Sequence, residues 1–413
     1  MVHSGGGFRS SAVARSLAWL AGFGLMTALL IGAARAVIPA DKVSHDYVCY
    51  WAAGLNFVDG QNLYNVDAQA RIQQSYGWDK NKLGLGLYDF LPFYYPPWFA
   101  MLCTIFVPLG YDGARVAWLV VNAELLLLTA YLLRNAVPGV PRVVPFAVVP
   151  VFVFSLAALI VGQTTILIFF LIVAAWRLTE GGWDRCGGAV LAWVTIKPQL
   201  TLVLIFAYLL WAVRQGRWGI VQGFATTLAL LCVVSFALQP WWLTEMLLAT
   251  RRTPPPTEYF PWIGTTWFLL LKGAGLRSLG LYAAYAAIAL PFFTAVVRVA
   301  VDPTRPLRDV LSLSLLAAYF VAPYGRHYDF PVLLIPLLTL LGTRLPERWG
   351  TTLMAALLIL PYAHYMVLGQ LKIWLGLTGR LNPEFTFFWV PLLLAFAWFA
   401  SRPNGMKKVV AEG

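Results

Sequence analysis

The sequence predicts an all-α polytopic membrane protein, and three observations carry that prediction. Of its 413 residues, 60% are hydrophobic and only 12% charged, whereas a soluble domain is roughly 45–50% apolar and about 25% charged. Apolar runs approaching the ~20 residues that span a bilayer recur along the whole chain. Short basic clusters separate those runs, and a single topology accommodates them. A soluble chain of this length lacks the core volume to hide so much apolar surface. The composition therefore excludes an ordinary soluble enzyme, a disordered chain and a collagen-like one. The 18 Trp and 18 Tyr suit interfacial belts, and the 26 Pro suit broken helices around a cavity. The net charge of +12 comes without a long Lys/Arg run. It points to orientation clusters and lipid headgroups rather than to nucleic acid. Cys49, Cys103, Cys186 and Cys232 lack CxxC spacing and suggest neither a metal site nor a disulfide framework.

The elements follow in order. Arg9 and Arg15 precede the first apolar run, residues 16–38, and put the N-terminus in the cytoplasm. That run ends in Arg35-Ala36-Val37-Ile38-Pro39 rather than a clean small-residue cleavage site, so it reads as a retained helix. By parity the polar segment 39–97 is extracytoplasmic, and residues 65–76 within it read as a short amphipathic helix on the membrane. Further apolar runs cover 98–109, 114–133, 143–161, 164–176, 187–196, 200–213, 219–238, 279–297, 310–322, 330–341, 351–368 and 385–399. The clusters Arg134/Arg142, Arg177/Arg185, Arg214/Arg217, Arg298/Arg305/Arg308, Arg344/Arg348 and Arg402/Lys407/Lys408 all fall in the cytoplasm if run 98–109 stays at the outer interface or is re-entrant. About twelve transmembrane helices result, forming one domain over 1–413 that ends in a cytoplasmic tail at 403–413. No internal repeat is visible.

This topology gathers the embedded ionisable groups on the outer face. Asp46, in Ser44-His45-Asp46-Tyr47, reads as a general base for a hydroxyl, as a solvated loop acid or as a helix cap. Arg326 and His327, between two apolar runs, suit a phosphate or pyrophosphate, or else a snorkelling cation and a hydrogen-bonded imidazole. Lys197 interrupts an apolar stretch, where a cation is costly. It reads as a phosphate ligand or as a lysine that snorkels outward. Pro198 beside it breaks the helix. Gln163 suits a sugar or a turn. Arg251 and Arg252 suit an anionic headgroup or a solvated loop. Tyr94, Tyr95, Trp98 and Trp262 suit stacking on a sugar or an isoprenoid, or interface anchoring. Asp41, Asp59, Asp89, Asp329, His364 and Glu384 complete the set of polar candidates. Walker, GxGxxG, HExxH and GxSxG motifs are absent.

Taken together, His45-Asp46-Tyr47 with Trp51-Ala52-Ala53-Gly54, Gly60-Gln61-Asn62-Leu63-Tyr64, Tyr95-Pro96-Pro97, Val107-Pro108-Leu109, Gly162-Gln163, Lys197-Pro198-Gln199 and Pro323 to Asp329 resemble the family 87 glycosyltransferases. Mycobacterial phosphatidylinositol-mannoside mannosyltransferases are the best-known members. The resemblance runs from the first helix to about Pro336. It implies the type C glycosyltransferase architecture, with an extracytoplasmic first loop carrying the catalytic acid and short interfacial helices. It further implies a polyprenyl-phosphate-sugar donor, by family default a mannosyl one, and a lipid-linked or glycan acceptor. Asp46 matches the family's acid and would deprotonate the acceptor hydroxyl, with inversion at the anomeric carbon. His327 would contact the leaving phosphate, with Lys197, Arg326, Arg251 and Arg252 offsetting its charge. His45, Tyr95, Gln163, Gln199, Tyr324 and Tyr328 would bind sugar or acceptor. No cofactor or metal is implied. The setting implied is the cytoplasmic (inner) membrane of a bacterium, with the active site facing outside. The Ala322-Pro323 start of the His-bearing turn departs from the Ser-Pro of mycobacterial members. A transporter or flippase of lipid-linked sugars is the alternative, but it predicts ionisable groups at mid-membrane. A non-catalytic scaffold would not need Asp46, His327 and Lys197 to converge.

Overall fold

The computed structural model describes residues 21–32, 36, 44–79, 87–374 and 383–401. Arg9, Arg15, Asp41, both ends of run 16–38, Arg402, Lys407, Lys408 and the 403–413 tail lie outside the described residues. Every regular element among the described residues is helical. The first is α1, Ala21–Gly32. The loop and first bundle comprise α2 Tyr47–Val58, α3 Val66–Ser75, α4 Pro97–Thr104, α5 Gly110–Leu133, α6 Val144–Val148, α7 Val153–Val161, α8 Thr165–Glu180 and α9 Asp184–Trp193. Then come α10 Pro198–Arg214, α11 Trp218–Leu238, α12 Trp242–Arg252, α13 Trp267–Gly273 and α14 Ser278–Val301. The chain closes with α15 Leu307–Val321, α16 Leu334–Thr343, α17 Glu347–Trp374 and α18 Trp389–Ala400.

Helix α15 is buried along its length and forms the central post, as a helix apolar all round must be. Helices α10, α14 and α16 pack against it. By contrast α11, α14 and α17 turn large apolar side chains outward. Leu230, Val233, Leu279 and Ile359 are all more than half exposed. Such a surface is stable only against lipid. Among the described residues, four helical segments are long and apolar enough to cross a membrane, 107–133, 218–238, 278–301 and 347–374. Four shorter apolar helices accompany them. The protein is therefore a helical membrane protein, but among the described residues four segments, not the expected twelve, reach spanning length on their own.

The shortfall has a local cause. Run 143–161 is not one helix. Pro150, which cannot donate and clashes with the preceding turn, parts α6 from α7, and Tyr362 on α17 donates to the freed Val151 carbonyl. Runs 187–196 and 200–213 stay separate, as expected: the chain breaks at Lys197, and Pro198 takes the first position of α10, where its missing N–H costs nothing. Residues 239–262 contain the amphipathic helix α12.

Two features hold the framework that carries the site. Helices α9 and α11 approach so closely that a Cβ on Gly188 would lie 2.0 Å from the Ile220 carbonyl oxygen, and one on Gly223 2.0 Å from that of Arg185. Small residues permit such backbone contact within a membrane. In the outer loop the expected 65–76 helix is present as α3, capped by the Asn65 side chain on Ala68 N at 3.0 Å. Its buried Gln69 and Gln73, one turn apart, clamp the next stretch of loop. Gln69 accepts from Phe93 N at 3.0 Å, and Gln73 accepts from Leu91 N at 2.7 Å and donates to Leu91 O at 2.9 Å. The side-chain amides thus serve buried backbone groups that have no ladder partner, and they fix Tyr94 and Tyr95 next in sequence.

Candidate active site

The site begins with a turn. Helix α7 ends at Gly162, whose φ of +81° is the left-handed conformation glycine favours. A Cβ there would lie 2.9 Å from Ser44 Cα. That approach lets Ser44 N donate to Ile160 O at 2.6 Å and Asp46 N to Val161 O at 3.1 Å. Trp118 Nε1 secures the Gly162 carbonyl at 2.8 Å. The start of the first loop is thereby sewn to α7, and Asp46 is set beside Gln163. Asp46 occupies the N-cap position of α2 yet makes no side-chain cap hydrogen bond, so the capping alternative fails. Instead Gln163 Nε2 donates to Asp46 Oδ2, and His45 Nε2 lies 2.9 Å from Oδ1. The other amide atom, Gln163 Oε1, is buried with no partner.

Asp46 and Gln163 line a cavity of about 210 Å³ together with His45, Tyr95, Tyr324, Arg326, His327 and Tyr328. Eight of the twelve expected site residues therefore meet around one space. Glu384, outside the expected site set, lines it as well. Arg326 grips Glu384 in two-pronged fashion, Nε to Oε2 at 2.6 Å and Nη2 to Oε1. His327 Nδ1 lies 2.6 Å from Oε2. Its ring stacks on Phe387 at 5.6 Å. Burial pushes the Glu384 carboxyl up, but Arg326 and then His327 outweigh burial and hold its pKa at about 2. Burial alone would lower Arg326. Glu384 reverses that and raises it well above the usual guanidinium range. Burial also raises the Tyr94, Tyr95 and Tyr324 hydroxyls, so they remain neutral donors. The cavity wall thus carries the Arg326 cation against the carboxylates of Asp46 and Glu384, with His45 and His327 beside them.

Four expected ligands fall elsewhere. Lys197 is 2% exposed and does not line the cavity. Its ammonium pairs with Asp329 and donates to Thr165 Oγ1 at 2.9 Å. Thr165 in turn donates to Asp329 Oδ1 at 2.5 Å, and Arg326 N donates to Asp329 Oδ2 at 3.1 Å. Lys197 therefore neutralises the acid that folds the Arg326 turn, and does not hold a phosphate itself. Such a buried cation needs a buried anion, and Asp329 supplies it. Arg251 and Arg252 are exposed at the end of α12 and, like Gln199, lie outside the cavity lining. His364 accepts from Trp389 Nε1 at 3.2 Å, also outside the cavity lining. The Glu384 role had a faint signal in sequence: an acid directly before an apolar run. The glutamine pair of α3 had its one-turn spacing. Among the described residues, no three His, Cys, Asp or Glu side chains cluster to hold a metal ion.

Fold and cavity define a helical membrane protein with a cavity of acidic, basic and phenolic side chains at the junction of its outer loop and its bundle. A family model described as glycosyltransferase family 87 matches residues 93–323, just over half of the chain, and the chain belongs to that family. Its activity class is glycosyl transfer, with a sugar donor and an acceptor as substrates. No curated protein and no solved structure matches the chain. Asp46, Arg326, His327 and Glu384 all lie outside the matched residues, so their meeting in one cavity is a separate observation.

Proposed function

We propose that the protein transfers a hexose, by family default mannose, from a polyprenyl-phosphate sugar to a hydroxyl of a lipid-linked or glycan acceptor, with inversion, on the extracytoplasmic side of a bacterial cytoplasmic membrane. The observation that supports this best is Asp46 itself. It is engaged in no cap, is steadied on both oxygens by Gln163 and His45, and faces a cavity shared with Arg326 and His327.

In this scheme Asp46 accepts the proton of the acceptor hydroxyl as that oxygen bonds to the anomeric carbon. The bond from that carbon to the phosphate oxygen breaks, and polyprenyl phosphate leaves with the electron pair. Each carboxylate oxygen of Asp46 keeps a lone pair beyond the Gln163 and His45 contacts. Two of Arg326's five N–H groups serve Glu384, which leaves the others for the leaving phosphate. His327 adds a second donor when protonated, and no cofactor or metal takes part in the scheme. Glu384 is held by Arg326, so Asp46 is the one acid free to act, which suits a single inverting displacement. The basic clusters at the far ends of the helices support the outward orientation.

The test uses purified full-length protein with polyprenyl-phosphate-mannose and a lipid-extract acceptor. Asp46→Asn is expected to lower transfer about 10²- to 10⁴-fold. Unchanged transfer would remove Asp46 as the base. Wild-type protein that moves lipid-linked sugar across vesicles without transferring it would favour a flippase.

A further inference from the structure

A second cavity, of about 700 Å³, opens between α17 and α18 beside the end of α16. Trp349, Leu353, Leu393 and Phe396 line it, with Arg344 at one end. It lies at the other end of the α15–α16 hairpin from Arg326. The 15 residues of α15, at ~1.5 Å each, put it about 22 Å away.

Arg344 is 7% exposed, and its Nε is buried with no hydrogen-bond partner. Nη2 donates to Asp309 Oδ2 at 3.1 Å, and the guanidinium stacks over Trp398 at 3.7 Å. Asp309 is shared. Arg305 Nη1 lies 3.6 Å from it and Arg308 Nε 3.9 Å, and that Arg308 Nε also lacks a hydrogen-bond partner. Arg305 reaches one more acid, the half-exposed Asp302, at 3.2 Å. Three guanidiniums thus face two carboxylates, and two buried N–H groups remain unsatisfied. Burial pulls the Arg344 pKa down, Asp309 only partly opposes it, and Arg305 and Arg308 pull it further down. The cluster is short of negative charge, and it stands at the mouth of an apolar cleft.

We propose that this cleft binds an anionic membrane phospholipid, with its phosphate on Arg344 and an acyl chain along Trp349, Leu353, Leu393 and Phe396. A phosphate oxygen supplies the acceptor that the buried guanidinium lacks. The apolar wall supplies the selection for a lipid over a soluble anion.

The test is native mass spectrometry of the delipidated full-length protein, titrated with phosphatidylglycerol or with phosphatidylcholine. Phosphatidylglycerol is expected to be retained at about tenfold lower lipid concentration: both headgroups carry a phosphate, but choline brings its own cation and leaves the positive excess of the cluster uncompensated. Arg344→Gln should erase that preference. Ala356→Trp, which fills the cleft and leaves the arginine cluster intact, should lower retention of phosphatidylglycerol at least as much. Equal retention of the two lipids by wild type would overturn the proposal. So would undiminished phosphatidylglycerol retention in a folded Ala356→Trp protein, with folding checked by thermal unfolding.

Discussion

Gln163→Leu isolates how the site positions its acid. The substitution keeps the side-chain volume near that of glutamine and removes the amide that donates to Asp46 Oδ2. Because Gln163 Oε1 has no partner in the protein, one protein hydrogen bond is lost. A hydrogen bond to a charged group contributes about 1.5–3 kcal/mol, or roughly 10- to 100-fold in rate if it is fully needed in the transition state. The assay is transfer of labelled sugar from polyprenyl-phosphate-mannose to a lipid-extract acceptor, made in both the native and the Asp46→Asn backgrounds. If Gln163 acts through Asp46, the loss should be roughly 10- to 100-fold in the first background and near zero in the second. Equal losses in both would show that Gln163 works independently of the acid, and the positioning argument would fail.

Three further outcomes follow from the same geometry. Lys197→Met should destabilise the protein by about 3–5 kcal/mol, because it strands the buried Asp329 carboxylate. Lys197→Met with Asp329→Asn should recover most of that, since the amide still accepts from Arg326 N. Thermal unfolding in detergent measures both. Glu384 has its pKa lowered from 4.5 to about 2, so its ionic contribution is fully present above about pH 4.5 and is lost as pH falls towards about 2. Acid unfolding of the wild type should show this loss, whereas Glu384→Gln should be insensitive there and less stable by about 3–5 kcal/mol at neutral pH. Gly188→Leu must push α11 away from α9, and should lower the midpoint of thermal unfolding by the equivalent of about 1–3 kcal/mol.

Much of the site was legible in the sequence because chemically costly residues stand out in an apolar chain. Asp46, Arg326 and His327 were recognisable at helix ends and do line one cavity. Lys197 was equally conspicuous, but its burial serves Asp329, and nothing near Lys197 in sequence shows a partner 132 positions away. Glu384 was hard to rank for the same reason, with its Arg326 partner 58 positions earlier. The long crossing helices 218–238, 278–301 and 347–374 followed from hydropathy. The break at Pro198 was legible from the proline itself, but the break at Pro150 was not, because hydropathy sums over a window and ignores whether the backbone within it runs straight.

Sequence alone determined that this is a membrane protein, that its acids and bases gather at helix ends, and that its motifs resemble those of one glycosyltransferase family. These are properties of composition and of neighbouring residues, and no packing is needed to read them. Only the tertiary structure decided which charge meets which. It joined Gln163 to Asp46 across 117 positions, withdrew Lys197 from the cavity, and placed Glu384 in it. A buried charge is stable only beside its complement, and the packing of α7 against the outer loop, together with the α15–α16 hairpin, sets which complement is within reach.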